Sequence, residues 1–285
     1  MSKTISKNAN IAICQMNITT NKHANLQKAE SMIRKAFSDS GPDIIVLPEM
    51  FNCPYDYNYF SRFSETFQGE TNEMLSGIAK ALGIYIIGGS IPEKDENKIY
   101  NTSFIFGRDG KMIARHRKIH LFDINIKNSI SFKESRFITP GEDITVFNTD
   151  ICTIGVAICY DMRFPELIRK MTLMGAKLII VPAAFNTITG PAHWHLTARA
   201  RALDNQVYFV CASPARDTES AYTAYGHSLV VDPWGSIIVE ADKEETLLNA
   251  KLDLSEVDRI REELPLLKHL KPEIYKPDKR PRIQQ

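Results

Sequence analysis

Residues 41–51 read GPDIIVLPEMF and residues 175–185 read GAKLIIVPAAF, with Gly, Ile, Pro and Phe at matching offsets. Each is a short apolar run that begins after a glycine and meets a proline, the pattern of a strand buried on both faces. A helical stretch precedes each run, at about 22–38 in the first case and from near Pro165 in the second. Before those helices come IAICQM (11–16) and VAICYD (156–161), both carrying Ala-Ile-Cys. In the first helix Ala24, Leu26, Ala29, Met32, Ile33 and Ala36 recur at three-to-four spacing. Pro165 suits the first turn of a helix. Two βαβ units related by internal duplication are therefore expected.

Working outward, a helix at about 70–82, the strand IYIIGGSI and two strands around the turn GRDG (NTSFIFG and KMIARHRKI) extend the first half. A helix at about 191–204, the strand VYFVCASPA and the hairpin SLVVDPWGSIIVEA extend the second. Strands alternating with helices specify an α/β sandwich, a pair of mixed sheets covered by helices. Residues 1–8 are expected to be a disordered N-terminal segment and 9–265 the folded domain. Residues 266–285, rich in proline, lysine and arginine, read as an arm lying on the surface or on a partner subunit.

The bulk properties exclude several classes. Of 285 residues, 35 are Lys or Arg and 34 Asp or Glu, a formal charge of +1 that offers no basic field for nucleic acid. The 44% hydrophobic and 24% charged content is that of a globular domain. No apolar run approaches the roughly 20 residues of a membrane span, and MSKTISKNA lacks the apolar centre of a signal peptide. Cys14, Cys53, Cys152, Cys159 and Cys211 form no CxxC pair and no zinc spacing. Free thiols in the cytoplasm, or in a matrix-type compartment, are expected.

Chemistry is expected where strands end, since open α/β sheets place ligand sites at their C-terminal edges. Glu49 ends one apolar run, where an acid is costly to bury without a purpose. Cys159 ends the matching strand of the other half and is followed by Tyr160-Asp161 and a helix start. Helix amides pointing at the sulfur would favour thiolate there. Cys14, Cys152 and Cys211 read as core, and Cys53 as lining a pocket mouth. Lys118, in ARHRKIHLFD, could point inward and stabilise an oxyanion beside a thiol and a carboxylate. Arg163 is near enough to Cys159 to bind an acidic substrate, though an ion pair with Glu166 or Asp161 explains it equally well.

LPEMF around Glu49, RHRKIHLFD around Lys118 and ICYDMRFPEL around Cys159 resemble the three signature regions of the nitrilase superfamily of carbon–nitrogen hydrolases. AFNTITGPAHW, ARARALDNQVYFV, ASPARD and YGHSLVVDPWG are similar to its omega-amidase branch. The resemblance runs from about residue 9 to about 275. It implies an αββα sandwich, doubled to αββααββα in a homodimer. It also implies Cys159 as nucleophile, Glu49 as general base and Lys118 as oxyanion stabiliser, with Glu134 orienting the lysine and the substrate. The backbone N–H of Tyr160 is expected to share the oxyanion, and Phe185 and Thr189 to line the substrate pocket, Thr189 by hydrogen-bonding a carboxylate or keto group. The expected substrates are 2-oxoglutaramate and 2-oxosuccinamate, with deaminated glutathione as the rival and a catalytically silent dimeric scaffold as the remote one. No cofactor, metal, nucleic acid or membrane partner is implied. His193 and His195 flank Trp194, but residues two apart on a helix face different ways, so no metal site is expected from that pair.

Overall fold

Side-chain alternation along the buried strands sets the layers. In the computed structural model, which describes residues 8–127, 131–220 and 222–275, the first half runs β1 (Asn8–Gln15), α1 (Lys22–Ser40), β2 (Ile44–Val46), α2 (Tyr57–Phe63), α3 (Glu70–Leu82), β3 (Tyr85–Ile87), β4 (Ile91–Asp95), β5 (Lys98–Phe106) and β6 (Met112–Arg117). A small ribbon, β7 (Asp123–Asn125) with β8 (Ser131–Lys133), links it to the second half. That half runs β9 (Thr145–Asn148), β10 (Thr153–Val156), α4 (Pro165–Leu173), β11 (Leu178–Pro182), α5 (Gly190–Asn205), β12 (Tyr208–Ala212), β13 (Leu229–Val231) and β14 (Ile237–Glu240). β15 (Thr246–Asp253) and α6 (Ser255–Glu263) follow.

The duplication is visible in the topology. β1, β2 and β3 run parallel in the order 1-2-3, and β10, β11 and β12 do the same in the other sheet. Ile11, Ile13, Ile44 and Val46 meet Ile154, Val156, Leu178, Ile180 and Val210 in a core between the two sheets. The alternate residues turn outward. Ala12, Cys14, Ile45 and Leu47 pack on Leu26, Ile33, Leu75 and Ile78 of α1 and α3. Ile179, Val181, Phe209 and Cys211 pack on Ile168, Met171, Trp194 and Ala198 of α4 and α5. A strand buried on both faces needs both parities apolar, which is why the two opening runs carry no alternation. The result is the four-layer αββα sandwich.

β15 is an element that the strand-and-helix reading did not name. It leaves the second half and pairs antiparallel with β1 along all eight residues, from Gln15–Thr246 to Asn8–Asp253, so it covers an edge of the first sheet. Residues 1–7 and 276–285, the ends of the expected N-terminal segment and C-terminal arm, lie outside the described residues.

Candidate active site

Both strand ends that were expected to carry chemistry turn sharply through left-handed backbone. Met50, just after Glu49, has φ +53° and Cys159 has φ +48°, conformations that non-glycine residues rarely adopt. The first kink is braced by the turn after β3: Met50 N–H donates to Ser90 Oγ (3.0 Å) and Ser90 N–H to the Pro48 carbonyl (3.2 Å). Gly89 makes this approach possible, since a Cβ there would sit 2.1 Å from the Pro48 oxygen. Cys159 opens a five-residue 3-10 turn, Cys159–Arg163, before α4 begins at Pro165.

Glu49, Lys118 and Glu134 have no solvent exposure, and Cys159 is 5% exposed. Lys118 Nζ donates to Glu49 Oε1 (2.9 Å), lies 2.9 Å from Glu134 Oε2 and donates to the Tyr55 hydroxyl (3.0 Å). All three of its N–H bonds therefore have acceptors. Burial alone would lower the ammonium's pKa, but Glu134 and Glu49 outweigh it and hold the pKa well above its ordinary value. Asn101 Nδ2 bridges the two carboxylates, at 2.9 Å from Glu49 Oε1 and 3.3 Å from Glu134 Oε1. The remaining oxygens take backbone donors: Glu49 Oε2 accepts from Ala184 N–H (2.8 Å) and Glu134 Oε2 from Phe122 N–H (2.7 Å).

The Cys159 thiol is buried beside the Glu49 carboxylate and the Ala184 amide, both of which act on its charge. Its pKa is pushed well up, first by burial and then by the Glu49 carboxylate, with Lys118 and the Ala184 amide only partly offsetting them. This differs from the expectation that helix amides favour thiolate. The reason is that a short 3-10 turn separates the sulfur from α4, while a buried carboxylate stands beside it. Two carboxylates and one ammonium already leave the buried cluster at −1, and a resting thiolate would make it −2.

Asp161, the last residue of VAICYD, ties the turn after β10 to the segment after β6. Its Oδ1 accepts from the backbone N–H (2.8 Å) and Nδ1 (2.8 Å) of His120; its Oδ2 accepts from Ile158 N–H (3.1 Å) and His116 Nε2 (3.1 Å). Burial alone would raise its pKa, but the hydrogen bonds from His116 and His120 hold the carboxyl well below the usual range. Lys118 lies between those two histidines, and Cys159 lies between Ile158 and Asp161. Arg201 donates to the carbonyls of Met162 (2.8 Å) and Arg163 (3.0 Å) and holds the far end of the turn.

The other named residues surround this cluster. Arg163 makes neither of the ion pairs weighed from sequence. Among the described residues its side chain meets His193 Nδ1 (3.0 Å), the Phe185 ring, whose centroid lies 4.5 Å from the guanidinium, and the Tyr160 ring at 5.8 Å, and its buried Nε has no hydrogen-bond partner. The nearby Cys159 is among the groups acting on its charge. Tyr160 is partly exposed and meets Phe122 and Phe164 edge-on. Phe185 is buried, packing on Trp194. Thr189 is buried with its hydroxyl donated to Asn186 Oδ1 (3.1 Å), in the loop that starts α5. Cys53 lines a small cavity with Glu49, Tyr55, Ala184 and Tyr222. Tyr55, Asn101, Asp161 and Tyr222, whose hydroxyl donates to the Ala184 carbonyl (2.5 Å), were not singled out from sequence as site residues. Each is polar; Asp161 lies within the ICYDMRFPEL signature and Asn101 in the IYNTSF strand, whereas Tyr55 and Tyr222 come from segments with no chemical pattern of their own.

Two sheet ends bring a thiol, two glutamates and a lysine into one dry cluster, which supplies a nucleophile, a base and a cation to meet developing negative charge. The chain belongs to the carbon–nitrogen hydrolase family, whose sequence model matches residues 10–262. It is 47% identical to omega-amidase NIT2 of Mus musculus over 265 residues, covering 93% of this chain and 96% of the mouse protein. The Homo sapiens omega-amidase NIT2 is 45% identical over the same length and coverage. Among solved structures, Saccharomyces cerevisiae Nit3, a member of branch 10 of the nitrilase superfamily, superposes with a TM-score of 0.86 at 43% identity, covering 93% of this chain and 97% of that one.

Proposed function

We propose that this chain is an omega-amidase, releasing ammonia from the terminal amide of short 2-oxo dicarboxylic monoamides such as 2-oxoglutaramate and 2-oxosuccinamate. The observation that carries the chemistry is the burial of the Cys159 thiol beside the Glu49 carboxylate, with Lys118 donating to the same carboxylate (2.9 Å). The identity of nearly half the residues to omega-amidases across 93% of the chain supports the substrate class.

The proposed steps assign each residue a role that its position can serve. Glu49 takes the thiol proton as Cys159 sulfur attacks the amide carbon, so thiolate forms only as the bond forms. Negative charge moves from the carboxylate to the carbonyl oxygen, where Lys118 meets it, together with a backbone amide that we assign to Tyr160. Lys118 exchanges one of its three acceptors for that oxygen; the Tyr55 hydroxyl is the neutral one and the least costly to release. Glu49 returns the proton to the amide nitrogen, the carbon–nitrogen bond breaks and ammonia departs, leaving a thioester. The same carboxylate then deprotonates water, which attacks the thioester, and the thiol is regenerated. Glu134, fixed by Phe122 N–H and Asn101, keeps Lys118 aimed. Arg163, without a carboxylate partner among the described residues, is assigned to the substrate's distal carboxylate against the Phe185 ring.

The test is ammonia release from 2-oxoglutaramate and from deaminated glutathione, compared side by side, with Cys159→Ala as the blank. Preference for the first, lost in the variant, is the expected result. Preference for the second would move the chain to the deaminated-glutathione reading, and silence on both from folded protein would leave a scaffold.

We also assign a homodimer. Leu196 and Leu203 lie on one face of α5, 69% and 42% exposed, and Leu203 abuts the turn that carries the half-exposed Trp234. A solution mass of twice 32.3 kDa is expected, and a monomer at micromolar concentration would refute it. Five free cysteines fit a reducing compartment such as the cytoplasm or a matrix. No helix among the described residues is long and apolar enough to cross a membrane.

A further inference from the structure

Of the two histidines that flank Trp194, His193 turns to Arg163, while His195 turns the other way and meets residues far along the chain. His195 Nε2 lies 2.7 Å from Glu240 Oε1 on β14, and His227 Nδ1, just before β13, lies 3.2 Å from the same oxygen. The three ligand atoms all fall within 4.8 Å of one another. We infer that His195, His227 and Glu240 form a binding site for a divalent transition-metal ion, separate from the amide-hydrolysing cluster.

Three features make this arrangement a ligand set. The donors are two imidazoles and a carboxylate, the set that zinc and its neighbours take at about 2.0–2.2 Å. Around a tetrahedral ion such atoms stand about 3.3 Å apart, so the two nitrogen–oxygen separations need to change by only tenths of an ångström, while the two ring nitrogens, within 4.8 Å of each other, close on the ion by rotation of the imidazoles. The three side chains also come from rigid, separate elements. His195 is on α5, Glu240 on β14, and His227 is held at both backbone ends: its N–H donates to the Asp242 carbonyl (3.2 Å) and its carbonyl accepts from Trp194 Nε1 (2.7 Å). Trp194 itself is fully buried, so this clamp does not move with solvent. Finally, the side chains are 30%, 21% and 33% exposed, which leaves one side open for water to complete the coordination. Tyr225 packs 4.4 Å from the His227 ring and closes the other side. A bound ion would fasten α5 to the β13–β14 hairpin and stabilise the folded chain by mass action.

Chelator-treated protein titrated with zinc chloride by calorimetry, and with cobalt chloride by visible absorption, tests the site. One ion per chain is expected, retained in Cys159→Ala, with a cobalt spectrum that lacks the thiolate charge-transfer band. His195→Ala should weaken binding by at least about tenfold, and so should His227→Asn, which keeps a residue tolerant of the φ +57° backbone. Zinc should raise the melting temperature of the wild type and not that of the two variants. Affinity unchanged in both histidine variants, a thiolate band that disappears in Cys159→Ala, or no binding at millimolar metal would each overturn the proposal. Because none of these readouts is amide hydrolysis, failure here leaves the omega-amidase proposal standing.

Discussion

Lys118 enters the fold with three N–H bonds and finds three acceptors, two of them charged. Its replacement therefore removes more than an oxyanion donor. On sequence grounds Lys118→Ala should cost turnover far more than stability, by about 100-fold or more in kcat. The structure adds a second cost, because the variant leaves Glu49 and Glu134 buried side by side without a counter-charge. About 3–5 kcal/mol of destabilisation is expected, read as a lower urea midpoint. A variant that loses turnover while keeping the wild-type midpoint would show that water or a proton replaces the ammonium at no cost. Glu49 was legible from one line of sequence, as a carboxylate after an unbroken apolar run. Asn101, which donates to both glutamates, was not: an asparagine within a strand has no chemical signature until two acids converge on it.

Asp161 acts between elements, joining the turn after β10 to the segment after β6. Its folded pKa is depressed, so its contribution to stability is present above the unfolded carboxylate value of about 3.9. That contribution is lost as pH falls below this value toward the folded pKa. Asp161→Asn should thus destabilise by about 3 kcal/mol at neutral pH, since an amide offers one acceptor oxygen in place of two charged ones. The variant should also lose less stability than the wild type between pH 5 and 3. Acid-denaturation curves of equal steepness for the two proteins would remove Asp161 from this role. The carboxylate acts on catalysis through others, so its kcat should fall while KM for the amide stays within a few-fold. β15 belongs to the same scale: its TLLNAKLD pattern was open to a strand reading, but its partner, β1 at the other end of the chain, follows only from topology.

At the scale of the whole molecule, the five thiols share one physical situation. Burial raises the pKa of Cys14 and Cys152 to about 12, and raises Cys53, Cys159 and Cys211 also. An unfolded thiol ionises near 8.5, so the stability these groups contribute is intact below that value. It is lost as pH rises from there toward the folded pKa values. The expected loss is about 1.4 kcal/mol per thiol per pH unit above that point. Urea unfolding under reducing conditions at pH 7.5 and 9.5 checks this, and coincident midpoints would refute it. The same rise in pKa keeps Cys159 protonated until Glu49 acts, so alkylation near neutral pH reports contact with the base rather than free thiolate.

What the sequence by itself determined was the duplicated βαβ plan and the strand ends where Glu49, Lys118 and Cys159 sit. Apolar runs, their bounding glycines and prolines, and local periodicity are short-range physics, readable without knowing who packs on whom. Tertiary structure alone decided which atoms met. It placed Lys118 between two acids, set Asp161 across two elements, left Arg163 without a carboxylate among the described residues and brought His195 to His227 and Glu240 rather than to its neighbour His193. It also reversed the expected electrostatics of the thiol. A local motif predicts a helix dipole, whereas a pKa depends on every charge and every excluded water around the group, and those arrive only when distant strands close the site.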